Sequence, residues 1–167
     1  MDSIPTTIKN RKLVKEKREQ LILAAIKQFP EKGFIKTTLR DLAESAGISH
    51  ANIYDYVGNK EDIFVLVHDF ITSLADKRLN ESIHGIRDPL EKLRRMIRAE
   101  FDLSFEWADA ILFVYQDIHI LKKSLLKELL KKESSHVYQF KHVLDELINQ
   151  GYIKHCNTRI ISNLIKI

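Results

Sequence analysis

Along the chain, apolar residues recur with the period of helices. From Val14 to Phe29, Leu21, Ile22, Ala25, Ile26 and Phe29 stand three and four apart, which predicts an amphipathic helix. Pro30 lacks a backbone donor, so a kink or an early stop is expected there. Gly33 is placed to cap that helix. Thr37 or Thr38 then caps a second helix whose apolar face is Leu39, Leu42, Ala43 and Ala46. Gly47 can take the positive φ of a tight turn. Ser49 caps a third short helix through Asp55 or Tyr56. Gly58-Asn59 marks the next break, with Asn59 and Asp62 spaced as a capping pair. A fourth helix runs from about Lys60 to Leu79, with Ile63, Phe64, Val67, Ile71 and Leu74 facing inward.

The loop from His84-Gly85 to Asp88-Pro89 combines a good N-cap with a good first helical residue. The next helix spans Pro89 to about Phe105 and carries Leu90, Leu93, Ile97 and Phe101. Another covers Trp107 to about Leu121. A long one covers Lys122 to Asn149, with Leu125, Leu126, Leu129, Val137, Phe140, Leu144, Leu147 and Ile148, and ends at Gly151. Asn157 is placed to cap a last helix, "TRIISNLIKI". No strand alternation and no repeat of twenty to fifty residues appear. The chain reads as all-α.

At 167 residues the chain is long enough to bury a core. No apolar run approaches the roughly 18 residues of a membrane span, and the N-terminus lacks the apolar centre of a secretory signal. The single cysteine, Cys156, fits a reducing compartment. A cytoplasmic protein is expected. Charge adds more. Residues 1–60 hold eleven Lys/Arg and seven Asp/Glu, and residues 61–167 hold sixteen of each, so the surplus of +4 lies in the first part. Lys9 to Arg18 is densest, with six bases and one acid. Such asymmetry suggests nucleic-acid contact; a merely solvated helix face would give the same charge pattern.

Two short helices around a glycine-containing turn form the helix-turn-helix pattern, whose second helix enters the major groove. Ile48 and Ile53 supply its packing side. Ser49, His50, Ala51 and Asn52 supply a small, hydrogen-bonding side, and an asparagine can read an adenine with two hydrogen bonds. Tyr54 and Tyr56 can place hydroxyls on phosphates, and Lys60 can add a charge. An incidental corner in an all-α protein is the competing reading.

The stretch "REQLILAAIKQFPEKGFIKTTLRDLAESAGISHANIYDYVGNKEDIF", Arg18 to Phe64, resembles the DNA-binding domain of TetR-family transcriptional regulators. The likeness rests on the arginine and "ILAA", Phe29 with "EKGF", the paired threonines, "LRDLAESAGIS" and "IYDYVGNKEDIF". It departs at Pro30, where a helix former is usual, and at Val57, where an aromatic is common. The resemblance implies a three-helix helix-turn-helix domain over residues 1–60, with a basic N-terminal arm. A larger helical effector-binding and dimerisation domain would occupy residues 61–167, bridged by the fourth helix. It implies DNA contact by Thr38, Arg40, Ser49, His50, Ala51, Asn52 and Tyr54, phosphate contact by Tyr56 and Lys60, and backbone or minor-groove contact by Lys9–Arg18. It also implies one or two further helices beyond Ile167.

In this family the C-terminal part binds a small molecule and pairs two subunits. Residues 107–153 are similar in flavour to members that sense fatty-acyl or acyl-CoA ligands. The aromatics Phe101, Phe105, Trp107, Phe113, Tyr115, Tyr138 and Phe140 read mostly as core, while Gln116, His119, Tyr138 and His142 are polar among apolar residues. Phe101, Phe105, Trp107, Tyr115, Gln116, His119, Tyr138 and His142 are the candidate effector residues. No cofactor, metal site or enzyme activity is expected. His136 and His142 fall on different helix faces, as do Asp117 and His119; the adjacent His155 and Cys156 stand apart from other ligands, and no phosphate loop is present. The expected protein is a homodimeric repressor that leaves a pseudo-palindromic double-stranded operator when a small hydrophobic effector binds. The alternatives are a DNA binder controlled by a protein partner and a helical interaction module.

Overall fold

The structure, a computed structural model, describes residues 4–165, without the side chains of residues 128 and 132–135. Lys166 and Ile167, at the end of the predicted last helix, lie outside the described residues. Among those described, the regular elements are helical: α1 (Arg11–Lys32), α2 (Leu39–Ser45), a 3-10 turn (Asn52–Asp55), α3 (Lys60–Ile83), α4 (Pro89–Glu106), α5 (Ala108–Asp117), a second 3-10 turn (Ile118–Ile120), α6 (Lys123–Asn149) and α7 (Thr158–Ile165). No helix among them is long and apolar enough to cross a membrane.

Packing divides the chain into two compact units: Met1–Ile71 with Asp109–Leu126, and Thr72–Ala108 with Lys127–Ile167. The start of α3 and the α5 region therefore pack with the first sixty residues, although α5 is distant in sequence.

In the first unit, α1 buries Val14, Arg18, Leu21, Ile22, Ala25 and Phe29 along one stripe. Asn10 caps it by accepting from the Leu13 amide at 3.1 Å. The expected early stop at Pro30 does not occur. The helix runs two residues further and ends where the amide of Gly33, at φ 81°, donates to Phe29 O at 2.8 Å. A proline here forfeits only one hydrogen bond near the terminus, so the final turn survives. Phe29, Phe34, Phe64 and Phe113 form an aromatic core: Phe113 stacks on Phe29 with centroids 4.6 Å apart and lies 5.0 Å from Phe64, and Phe34 meets Phe64 edge-on at 5.8 Å.

The second unit packs Leu79, Met96, Phe140, Val143 and Leu147 together, with Ile83, Leu93, Ile153 and Ile165 against them. Asp88 caps α4 by accepting from the amides of Leu90 and Glu91, with Pro89 as its first residue. Gly151 (φ 77°) closes α6, with Tyr152 N donating to Leu147 O at 2.9 Å. Asn157 caps α7 by accepting from Ile160 N.

The buried side of α4 and the set of buried aromatics both differ from the sequence expectation. On α4 the buried line is Met96, Glu100 and Leu103, whereas Leu90, Ile97, Phe101 and Phe105 lie outward. Polar Glu100 is inside because it has a partner: it lies 2.8 Å from Nε2 of His136, whose Nδ1 is 3.3 Å from Asp76. Burial alone pushes the His136 pKa down, and the hydrogen bonds and charges of Glu100 and Asp76 together raise it above the ordinary histidine value. Of the aromatics expected in the core, Phe113 and Phe140 are buried, but Phe101, Phe105, Tyr115 and Tyr138 are exposed.

Candidate nucleic-acid interface

The helix-turn-helix region is built by local capping. Thr38 opens α2 with a reciprocal box: its hydroxyl oxygen accepts from Asp41 N at 3.1 Å, and the Asp41 carboxylate accepts from Thr38 N at 2.9 Å. The Thr38 backbone hydrogen bond, then its side-chain one, hold the Asp41 carboxyl below the usual carboxylate range, with Lys32 and Arg40 adding charge. At the other end, Gly47 (φ 63°) donates to Glu44 O and Ile48 donates to Ala43 O at 2.9 Å. This paired arrangement closes α2 and turns the chain.

The third helix is shorter than expected. Ser49 accepts from Asn52 N through both its carbonyl and its hydroxyl, but residues 50–51 form a turn and only Asn52–Asp55 is helical, as a 3-10 turn. Its polarity is sharp. Ile48 and Ile53 are buried, while Ser49, His50, Ala51, Asn52 and Tyr54 are exposed, and the rings of His50 and Tyr54 meet edge-on at 5.9 Å. Thr38 and Arg40 are exposed at the start of α2.

Tyr56 and Lys60 are placed differently from the sequence reading. Tyr56 is 6% exposed, and its carbonyl accepts from Nε of Arg18 at 3.0 Å. The Lys60 ammonium is half-buried over the Phe34 ring, 4.5 Å from its centroid, and donates to the carbonyls of Phe34, Ile35 and Thr37. Burial lowers its pKa from the ordinary lysine value. In this geometry both residues support the motif from inside.

The basic segment also differs from a free arm. Arg11 onward belongs to α1, and only residues 4–10 form an extended strap. Strap and helix enclose a groove of about 790 Å³ lined by Thr6, Ile8, Lys9, Arg11, Lys15 and Arg18, among others. Lys9, Arg11 and Lys15 are exposed, but Arg18 is 3% exposed. Arg18 is thus no surface cation, and its place in the sequence agrees: it shares the apolar stripe with Val14, Leu21 and Ala25 at helical spacing.

The eight candidate effector residues lie on α4, α5, the second 3-10 turn and α6 and at the α4–α5 join. Phe101, Phe105, Tyr115, Gln116, His119, Tyr138 and His142 are exposed, and Trp107 is half-buried. Phe101 and Phe105 touch each other on α4, with centroids 5.4 Å apart, and His142 lies 3.6 Å from Glu146.

Residues 21–67 match the family model for bacterial regulatory proteins of the tetR family. The chain is 31% identical over 121 residues to the HTH-type transcriptional regulator HbdR of Aromatoleum sp. (strain CIB), covering 72% of this chain and 53% of that protein. It is 27% identical over 141 residues to the fatty acid metabolism regulator protein of Bacillus subtilis (strain 168), covering 83% and 71%. The crystal structure of AibR in complex with isovaleryl coenzyme A and operator DNA has the same fold: TM-score 0.76, 15% identity, 89% of this chain and 81% of that one. The chain spans about half the length of the first curated relatives it matches.

Proposed function

We propose that this chain, a member of the tetR family of bacterial regulatory proteins, is a cytoplasmic DNA-binding repressor. Residues 1–60 read a double-stranded operator, and residues 61–167 carry effector binding and subunit pairing. The observation that carries the DNA reading is the polarity of residues 48–54. Five exposed residues project from a segment whose isoleucines are buried, so the outer side has no protein to pack against. Ser49, His50, Asn52 and Tyr54 face base edges, with Thr38 and Arg40 beside them, and the exposed cations Lys9, Arg11 and Lys15 sit on phosphates. In a twofold dimer two such segments stand roughly 34–36 Å apart and fit a pseudo-palindrome.

The effector is a small hydrophobic molecule of the acyl-CoA class. Support comes from relatives: one is named for fatty acid metabolism and one was solved with isovaleryl coenzyme A and operator DNA. DNA and effector then weaken each other's binding by the same factor. A second reading, control by a protein partner, is favoured by one feature: the outward apolar line Leu90, Ile97, Phe101 and Phe105 on α4.

Selection from a random duplex pool tests the first part. A pseudo-palindromic consensus bound by two chains with a steep salt dependence is expected; no enrichment over random duplex refutes the DNA reading. Titrating that complex with isovaleryl-CoA and palmitoyl-CoA tests the second. Release is expected, and tight acyl-CoA binding without any change in operator affinity refutes the effector class while leaving DNA recognition intact.

A further inference from the structure

Asn52–Asp55 is too short to hold itself. Starting a helix fixes several residues for one hydrogen bond, and 3-10 turns of this length draw their stability from neighbours. Ser49 serves the N-terminal end. The C-terminal end is held by residues far away in sequence. The Thr6 hydroxyl donates to Asp55 O at 2.6 Å, and the same oxygen accepts from Ile8 N at 3.2 Å, which leaves the hydroxyl proton directed at Asp55. Arg18 donates from Nε to Tyr56 O at 3.0 Å and from Nη2 to Ile4 O at 2.7 Å and Pro5 O at 3.3 Å. One buried guanidinium therefore fastens the strap to the residue after the 3-10 turn. Its planar fork presents donors in two fixed directions, which a lysine ammonium cannot reproduce.

We infer that Thr6 and Arg18 are positioning residues that set the angle at which Ser49, His50, Asn52 and Tyr54 are offered to DNA, so that the strap governs sequence discrimination more than general affinity. This rests on the DNA-binding reading above. Neither residue touches DNA. Thr6 acts through the Asp55 carbonyl, and Arg18 acts through the Tyr56 carbonyl while its other arm anchors the strap.

The test compares Thr6→Val and Arg18→Lys with the parent on two probes: the duplex that the parent selects from a random pool, and a random-sequence duplex of equal length. Both substitutions conserve charge, so the number of neutralised phosphates and the salt slope are expected to stay constant. Affinity for the selected duplex is expected to fall roughly tenfold for Arg18→Lys, comparable to one mismatched base pair, and several-fold for Thr6→Val. Affinity for random duplex is expected to hold. Thr6 is exposed, so Thr6→Val is expected to fold even where Arg18→Lys does not. An unchanged ratio of selected to random affinity in folded Thr6→Val overturns the inference, and so does an equal loss on both probes, which marks Thr6 itself as a phosphate contact. If the parent selects no duplex, the DNA reading itself has failed, before any variant is made.

Discussion

Lys60 donates from its ammonium to the carbonyl oxygen of Thr37 at 2.8 Å, joining the first residue of α3 to the residue before the cap of α2. The same ammonium serves the carbonyls of Phe34 and Ile35. One cation thus gathers the carbonyls of the α1–α2 connection, where backbone groups have few partners of their own.

Lys60→Met should therefore cost stability, which a surface phosphate contact would not. Leaving these carbonyls without their charged donor is expected to lower the unfolding free energy by about 1–2 kcal/mol. Tyr54→Ala, at an exposed position, should change stability by less than about 0.5 kcal/mol. Both should weaken operator binding. Urea denaturation beside a binding isotherm separates them; a Lys60→Met protein as stable as the parent would return Lys60 to the contact surface.

Phe113→Ala should destabilise the unit that holds the helix-turn-helix, although Phe113 lies on α5. Its ring stacks on Phe29 and touches Phe64 in a fully packed aromatic cluster. Truncating it removes this buried surface and leaves a cavity, at about 3–5 kcal/mol. Amide exchange should show the loss of protection in α1 and at the start of α3. Exchange confined to α5 would mean the cluster does not carry the unit.

His136 gives the second unit a pH dependence whose sign follows from its two carboxylate partners. Its folded pKa lies above the ordinary 6.5, because Glu100 and Asp76 outweigh the effect of burial. The stabilisation is therefore complete below about pH 6.5 and is lost as pH rises through the folded pKa. Thermal scans from about pH 5.5 to about pH 9 should show a falling midpoint in the parent and a shallower fall in His136→Gln. His136→Leu should cost more, about 3–5 kcal/mol, since it leaves Glu100 buried without its partner. A parent midpoint that rises over this range would refute the assignment.

Helix positions and caps could be read from the sequence because their causes are local. Asn59, Asp88 and Asn157 each accept from an amide two or three residues on, and Gly33, Gly47 and Gly151 each have positive φ. Long-range partners could not be read in this way. Arg18 looks like one more surface cation until the strap and Tyr56 O are seen around it. Glu100 looks like a surface acid on a helix whose apolar side is Leu90, Leu93, Ile97 and Phe101, yet α4 turns Met96 and Leu103 inward, and Glu100 goes in beside them because His136 partners it there. The partners at the far end of Asn52–Asp55 are equally hidden, because Thr6 and Arg18 reach Asp55 O and Tyr56 O from residues 49 and 38 positions away in sequence.

Gly47 allows a clean separation of backbone from packing effects. Its φ is 63°, and a Cβ built there meets nothing within 4 Å. A substitution therefore costs only the left-handed conformation. Alanine should lose about 1–2 kcal/mol, and asparagine, which tolerates this region better, should lose less. Thermal denaturation of Gly47→Ala and Gly47→Asn should rank parent, asparagine, alanine. DNA affinity should follow the same order if the turn sets the angle between α2 and the segment after it. Equal losses for the two variants would point to a steric cause, which the open space around Gly47 argues against.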